Sequence, residues 1–370
     1  GIAALDSGRP SEAIFSLRRA IAVEPEFSGA RMELARAYYE SGNRELARPL
    51  FTQLLGENPP PAVAAVINQY LQSIDNRNAT PSRRFFPYVG VFAGYDTNAN
   101  GSTDNQQFLG FTLSPDNVQT ESGFAELNAG FNAYVPRSSR FAWVFNARAS
   151  HRANFDASFV DATIISGLGG FNWQRDAWFG RAVLDGFWGS RDGNPNETYV
   201  GVDAIVGRRI TDQWDITAGI RGGAQRYDDS LSVLDVNRFL YSLGVNRHFA
   251  SRAQLGMQLI GGNDNEVESG SPYGNAKFGG RISMASPVGS STWLSAAVGV
   301  LAIDYDGLFF GSPRKDTQWT ALLQFEFRDV WTRGLSVAPR LRYVENDSDV
   351  ELYSYDRTEM GIDVRWIPQP

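Results

Sequence analysis

The segment Phe141-Ala-Trp-Val-Phe-Asn-Ala-Arg-Ala-Ser150 decides the fold. Phe141, Trp143, Phe145, Ala147 and Ala149 fall at every second position, and Asn146, Arg148 and Ser150 lie between them. Successive side chains of a β-strand point to opposite faces, so this period of two predicts a strand with one apolar and one polar face. The pattern recurs. Ala125, Leu127, Ala129, Phe131 and Ala133 follow it upstream, and Trp319, Ala321, Leu323, Phe325 and Phe327 follow it downstream. Met360, Ile362, Val364 and Trp366, interleaved with Glu359, Asp363 and Arg365, close the series.

Fourteen such segments are predicted, at 84–97, 119–135, 140–153, 158–173, 177–189, 196–208, 214–227, 235–248, 252–263, 272–286, 292–304, 316–329, 333–345 and 353–367. They run roughly 12–16 residues, whereas strands of a soluble sandwich average about 5–6. Short turns alternate with longer polar connections, the longest at 98–118, and others at 190–195 and 305–315. An even strand count with this asymmetry predicts an antiparallel transmembrane β-barrel of outer-membrane type. Phe85, Tyr95, Trp143, Trp178, Trp188, Trp214, Trp319 and Trp366 lie near strand ends, where interfacial girdles sit.

The first 75 residues follow a different period. A shift of 34 residues superposes Gly8 on Gly42, Ala13 on Ala47, Leu17 on Phe51 and Pro25 on Pro59. That period, with small residues at helix crossings and Pro at the end, is the tetratricopeptide pattern. Helices are expected at 11–23, 27–40, 45–55 and 62–74, with Pro49 near a first turn, where a missing N–H is tolerated. Such repeats either serve only as a packing scaffold or also bind peptides in the groove lined by their A helices. Met32, Arg36, Tyr39 and Glu40 are the candidate groove residues. The fold class is therefore multi-domain α + β: tetratricopeptide α-helical repeats at 1–75, a linker at 76–83, and a 14-stranded barrel at 84–370. The chain opens at Gly1 in mid-helix pattern, without a signal-peptide pattern, and reads as processed or truncated.

Composition limits the chemistry. The 370 residues include no cysteine, two histidines (His151, His248), 37 glycines and 13% aromatics. Thiolate metal sites and cysteine nucleophiles are excluded. No nucleophile–base constellation accompanies either histidine, so no enzyme, cofactor or metal site is expected. The net charge of −7 argues against a nucleic-acid partner. The acidic clusters at 263–266 and 345–351 read as solvated loop charge rather than calcium ligands.

The polar strand faces supply the candidate lumen residues. Arg148, Arg181, Asp185, Arg221, Arg238, Arg281, Glu326, Arg340, Arg342 and Asp363 head the set, with Glu126, Asp203, Lys277, Arg328 and Arg365 beside them. Such charges either brace the wall in pairs or favour an anionic passenger. Strands one and fourteen must meet to close the barrel. Pro87, Gly90 and Gly361 fall at that seam and either weaken it, so that it opens sideways, or are ordinary wall irregularities.

Ala30-Arg-Met-Glu-Leu-Ala-Arg-Ala-Tyr-Tyr39, Gly42, Ala47, Phe51, Asn58-Pro-Pro-Pro-Ala-Val63 and Ile67-Asn-Gln-Tyr-Leu71 resemble the last repeat and capping helix of the surface lipoprotein assembly modifier family. Gly94-Tyr-Asp-Thr-Asn-Ala-Asn100 resembles that family's first barrel strand and Asn-rich loop. Gly361, Val364 and Trp366 look like the insertion signal read by the barrel-assembly machinery, although Ile367-Pro-Gln-Pro370 follows. The resemblance implies an outer-membrane translocon of type XI secretion with its repeats in the periplasm. Its partners would be a secreted or surface-lipoprotein client, outer-membrane lipids and the assembly machinery. The competing reading is an exopolysaccharide export porin with tetratricopeptide repeats.

Overall fold

The computed structural model describes residues 5, 10–24, 27–57, 59–78 and 83–368. The chain forms two compact units, Gly1–Pro81 and Ser82–Pro370. Gly8, Pro25, Asn58 and half of the expected linker (79–82) lie outside the described residues.

In the first unit, α1 (Pro10–Val23), α2 (Ser28–Glu40), α3 (Arg44–Gly56) and α4 (Pro61–Asn78) follow one another. Two buried clusters hold them. Leu5, Ala13, Leu17, Ala30, Leu34 and Ala37 form one, and Ala35, Ala47, Phe51, Leu54, Ile67 and Ile74 the other. The fully buried alanines are where the helices cross. Gly42 turns α2 into α3 at φ 84°, a left-handed conformation that a side chain would strain. Pro49 is the sixth residue of α3, so it lies beyond the first turn expected of it. It deprives the Glu45 carbonyl of its helical donor. The helix persists because Ala47, Phe51 and Leu54 anchor it on both sides of that break. No described helix is long and apolar enough to cross a membrane.

The second unit is a closed antiparallel barrel of fourteen strands. They are β1 (Arg84–Asp96), β2 (Ser122–Ser138), β3 (Phe141–Asn154), β4 (Ala162–Arg175), β5 (Trp178–Arg191), β6 (Asn194–Arg209) and β7 (Trp214–Tyr227). The series continues with β8 (Val236–His248), β9 (Gln254–Glu266), β10 (Asn275–Pro287), β11 (Thr292–Phe309), β12 (Ser312–Arg328), β13 (Leu335–Ser348) and β14 (Tyr355–Trp366). Closure leaves no free sheet edge around most of the wall, the condition for strands in a bilayer. Leu127, Phe145, Ile165, Leu184, Val202, Ile220, Leu243, Leu259, Ile282 and Val298 form an exposed apolar belt on the outward face. Trp143, Trp178, Trp188, Trp214, Trp319 and Trp366 are exposed on the same face. This is an outer-membrane barrel.

Two expected outer loops are instead tight hairpins. Asp192-Gly193 joins β5 to β6 with φ of 49° and 75°, and Phe310-Gly311 joins β11 to β12 with φ of 54° and 85°. Positive φ at both central residues matches the right-handed twist of the strands. β11 therefore runs for 18 residues and β12 for 17. The first outer connection, 97–121, carries a small ribbon of its own, in which Gln107–Phe108 pairs with Phe111–Thr112.

Candidate functional site

Strand parity fixes which charges face the lumen. Asn132 and Asn146, paired across β2 and β3, share a face with Arg148, whereas Phe145 points outward. Carried strand by strand through the registers, the same parity places Arg148, Arg181, Asp185, Arg221, Arg238, Arg281, Glu326, Arg340, Arg342 and Asp363 on the inner face. Most of these charges are paired. Arg148 reaches Glu126 at 2.6 Å, Arg328 reaches Glu326 at 2.7 Å, and Arg365 reaches Asp363 at 3.2 Å. Arg221 bridges Asp185 and donates to the Tyr199 hydroxyl at 3.1 Å. Arg238 forks onto Asp264 with two bonds of 2.9 Å, and Lys277 adds a third at 2.8 Å. Arg181, Arg281 and Arg342 make no ion pair with any carboxylate among the described residues.

Asp264 corrects one expectation. It belongs to β9 and is buried, not solvated in a loop. The acidic stretch 263–266 reads as a loop because its residues are polar on both faces. Pairing with Arg238 and Lys277 is what lets a carboxylate sit there. His248 accepts a similar role, with Nε2 2.6 Å from Asp215. His151 points outward and contacts Thr163 Oγ1 at 2.9 Å.

The densest network lies at the seam. β1 meets β14 over eight residues, Val89–Asp96 against Trp366–Glu359, whereas β1 pairs with β2 over all thirteen of its residues. Arg84–Tyr88 thus has no ladder partner on the β14 side among the described residues, and Pro87 lies in this overhang rather than in the closing ladder. Gly90 and Gly361 lie within the ladder, Gly361 opposite Gly94. A Cβ on Gly94 would collide with the Met360 carbonyl, so the two backbones approach here as only glycine permits. Val364 and Trp366 face outward, as does Ile362.

Above that glycine step stand two buried carboxylates, Asp96 and Glu359. Arg357 forks onto Asp96 at 2.5–3.0 Å. Arg152, from β3, bridges both, at 2.6 Å to each. Arg340, from β13, holds Glu359 at 2.9 Å. Two buried rings complete the cluster: Arg340 lies 3.7 Å over Phe92, and Arg152 lies 3.7 Å over Phe124. Asp96, Arg152, Arg357 and Glu359 are absent from the candidates drawn from sequence. Strand alternation marks them as inward, but nothing in a single sequence shows that residues 207 or 261 positions apart meet.

A second clasp closes the outer rim. Arg314 forks onto Asp316 at 2.6–2.9 Å and lies within 3.5–4.9 Å of the Tyr305, Phe309 and Tyr353 rings. Tyr353, in a single-turn helix at the rim, has its phenol pushed above the ordinary tyrosine range, first by burial and then by its hydrogen bond with Tyr273.

In the repeat unit, Tyr39 donates to or accepts from Ser73 at 2.5 Å and meets Tyr70 edge to face. Met32 packs against the second cluster. Arg36 pairs with Glu33 at 3.4 Å and with Glu40 at 2.9 Å. These four side chains share α2, beside α4.

A tetratricopeptide repeat family model matches residues 4–70. A surface lipoprotein assembly modifier of Moraxella catarrhalis is 40% identical over 78 residues, which is 21% of this chain and 16% of the relative. One of Pasteurella multocida is 24% identical over 240 residues, 61% of this chain and 45% of the relative. The matched segments thus span less than half of each relative. Among solved structures, a loop-deletion mutant of the Vibrio cholerae outer membrane protein OmpT is similar at 10% identity and a TM-score of 0.45, covering 78% of this chain and all of the other.

Proposed function

We propose that this chain, a relative of the surface lipoprotein assembly modifiers, exports a lipoprotein or soluble client across the outer membrane. The repeats receive the client in the periplasm, and the barrel passes it outward without nucleotide hydrolysis and without catalysis of its own. The observation that carries the reading is the joint: one chain places a peptide-binding type of helical repeat immediately before a fourteen-stranded barrel, and the relatives it matches carry the name surface lipoprotein assembly modifier.

The charged lumen suits this role. Its ion pairs that cross strands, such as Arg148–Glu126, Arg221–Asp185 and Arg238–Asp264–Lys277, brace the wall. Arg181, Arg281 and Arg342, left over after pairing, give a sliding polypeptide positive points to pass. The seam is the natural place for lateral release, because it is the shortest ladder and contains the side-chain-free Gly94–Gly361 step.

The test is expression of a lipoprotein encoded beside this chain, in cells with and without it, scored by surface labelling. Surface exposure only when the chain is present supports export. Equal labelling in both strains refutes it.

A further inference from the structure

The outer connection 97–121 has two dissimilar ends. Its base is stapled. Asn98 donates through Nδ2 to the Ser102 carbonyl at 2.8 Å and to the Asp356 carbonyl at 2.9 Å. Asn100 donates to the Asp116 and Val118 carbonyls at 2.9 and 2.7 Å, and accepts from the Thr120 amide at 3.1 Å. Asn98 and Thr103 are fully buried. From this base the segment leans over the rims of β14 and β13. Its residues Gly101, Ser102, Leu113 and Asn117 roof a cavity of about 470 Å³ whose floor includes the inward-facing Tyr305 and Gln318.

The tip is held by far less. Phe108 meets Phe310 edge to face at 5.0 Å, and Asn105 donates to Glu351 at 2.8 Å on the exposed surface. Both rings of this contact sit at hairpin turns. Leu109-Gly110 has φ of 49° and 83°, and Phe310-Gly311 has 54° and 85°. Such turns favour Asn, Asp or Gly at the first position, as Asp192-Gly193 shows. Here that position carries a large apolar residue in both turns, and Leu109 and Phe310 remain largely exposed. The local turn chemistry is sacrificed at the two tips that meet each other, and at no matching gain within either hairpin.

We propose that segment 97–121 is a strap that closes the outer mouth above β11–β14, fixed at its Asn98–Asn100 base and released at the Phe108–Phe310 tip. The proposal draws on the export reading only for what passes beneath the strap. Its test measures ions and needs no client.

The chain has no cysteine, so Phe108→Cys with Phe310→Cys accepts a short, cleavable thiol cross-linker at one place only. The readout is potassium chloride current through the full chain in planar bilayers. Losing the ring pair in Phe108→Ala with Phe310→Ala is expected to populate the high-conductance state about fivefold more. Cross-linking is expected to abolish that state, and cleavage of the linker in the same membrane to restore it. Identical current records for the native, cross-linked and cleaved proteins overturn the proposal. So does a cross-linked barrel that conducts more than the cleaved one.

Discussion

Asp96 and Glu359 stand directly opposite each other in the ladder that closes the barrel. Two carboxylates in register repel, so the seam holds only because Arg152, Arg340 and Arg357 converge on them. Arg152 touches both and is the keystone. Arg152→Met is expected to destabilise the barrel by about 3–5 kcal/mol, because it removes the one cation that bridges the two opposed buried carboxylates. The measure is the temperature at which the folded band disappears on semi-native gels. Returning a cation at the same place with Arg152→Lys should recover part of the loss. An unchanged unfolding temperature for Arg152→Met contradicts the keystone role.

Lateral release through the seam predicts a different result. Val91 and Val364 are opposed on its outward face. Val91→Cys with Val364→Cys, once oxidised, is expected to stop client exposure and to leave the barrel folded. Full export with the seam bonded shut would dismiss lateral release and leave the lumen as the route.

Arg281 and Arg342, with Arg181, supply unneutralised positive charge on the lumen face. Arg281→Gln with Arg342→Gln is expected to reduce anion preference, read as a shift of the reversal potential toward the cation side under a salt gradient. The effect should fade at high salt, where screening shortens to about 3 Å at 1 M. An unmoved reversal potential means that other groups set the selectivity.

Much of this was legible from residues alone. Period-two alternation gives all fourteen strands, because a wall between lipid and water must alternate. The 34-residue shift gives the repeats. The rim was harder to read. Asp192-Gly193 carries a turn signal inside what reads as a polar loop, and Phe310-Gly311 carries almost none, since Phe is a poor choice at that position. Asp264 looks like loop charge until Arg238 and Lys277 are seen beside it. The seam cluster was illegible for a plainer reason. Inward parity places a charge on the lumen face, but its partner depends on shear around the barrel, which no local pattern encodes.

Tyr353 offers a pH test outside the membrane. Its phenol is raised above the usual value near 10, so the folded state retains the proton more firmly than the unfolded one. The clasp around Arg314 is therefore fully stable below about pH 10 and loses stability as pH climbs through the raised value. Ultraviolet absorbance should show a late-ionising tyrosine that disappears in Tyr353→Phe. A titration unaltered by that change would contradict the buried clasp.

In the repeat unit, Phe51 is fully buried and stacks on Tyr70 at 4.9 Å. Phe51→Ala is expected to remove about 3–5 kcal/mol of stability. Limited proteolysis should then cut the helices while sparing the barrel. Equal protease resistance would show that the second cluster is not what holds these helices.

The seam also joins the first barrel strand to the last. The residues it brings together are the earliest and the latest of the barrel to be made, so the cylinder cannot be completed from any partial polypeptide. Biogenesis acquires a built-in check: a chain stalled or clipped before β14 leaves the Asp96 carboxylate without Arg357, and the wall stays an open ribbon that quality-control proteases can recognise.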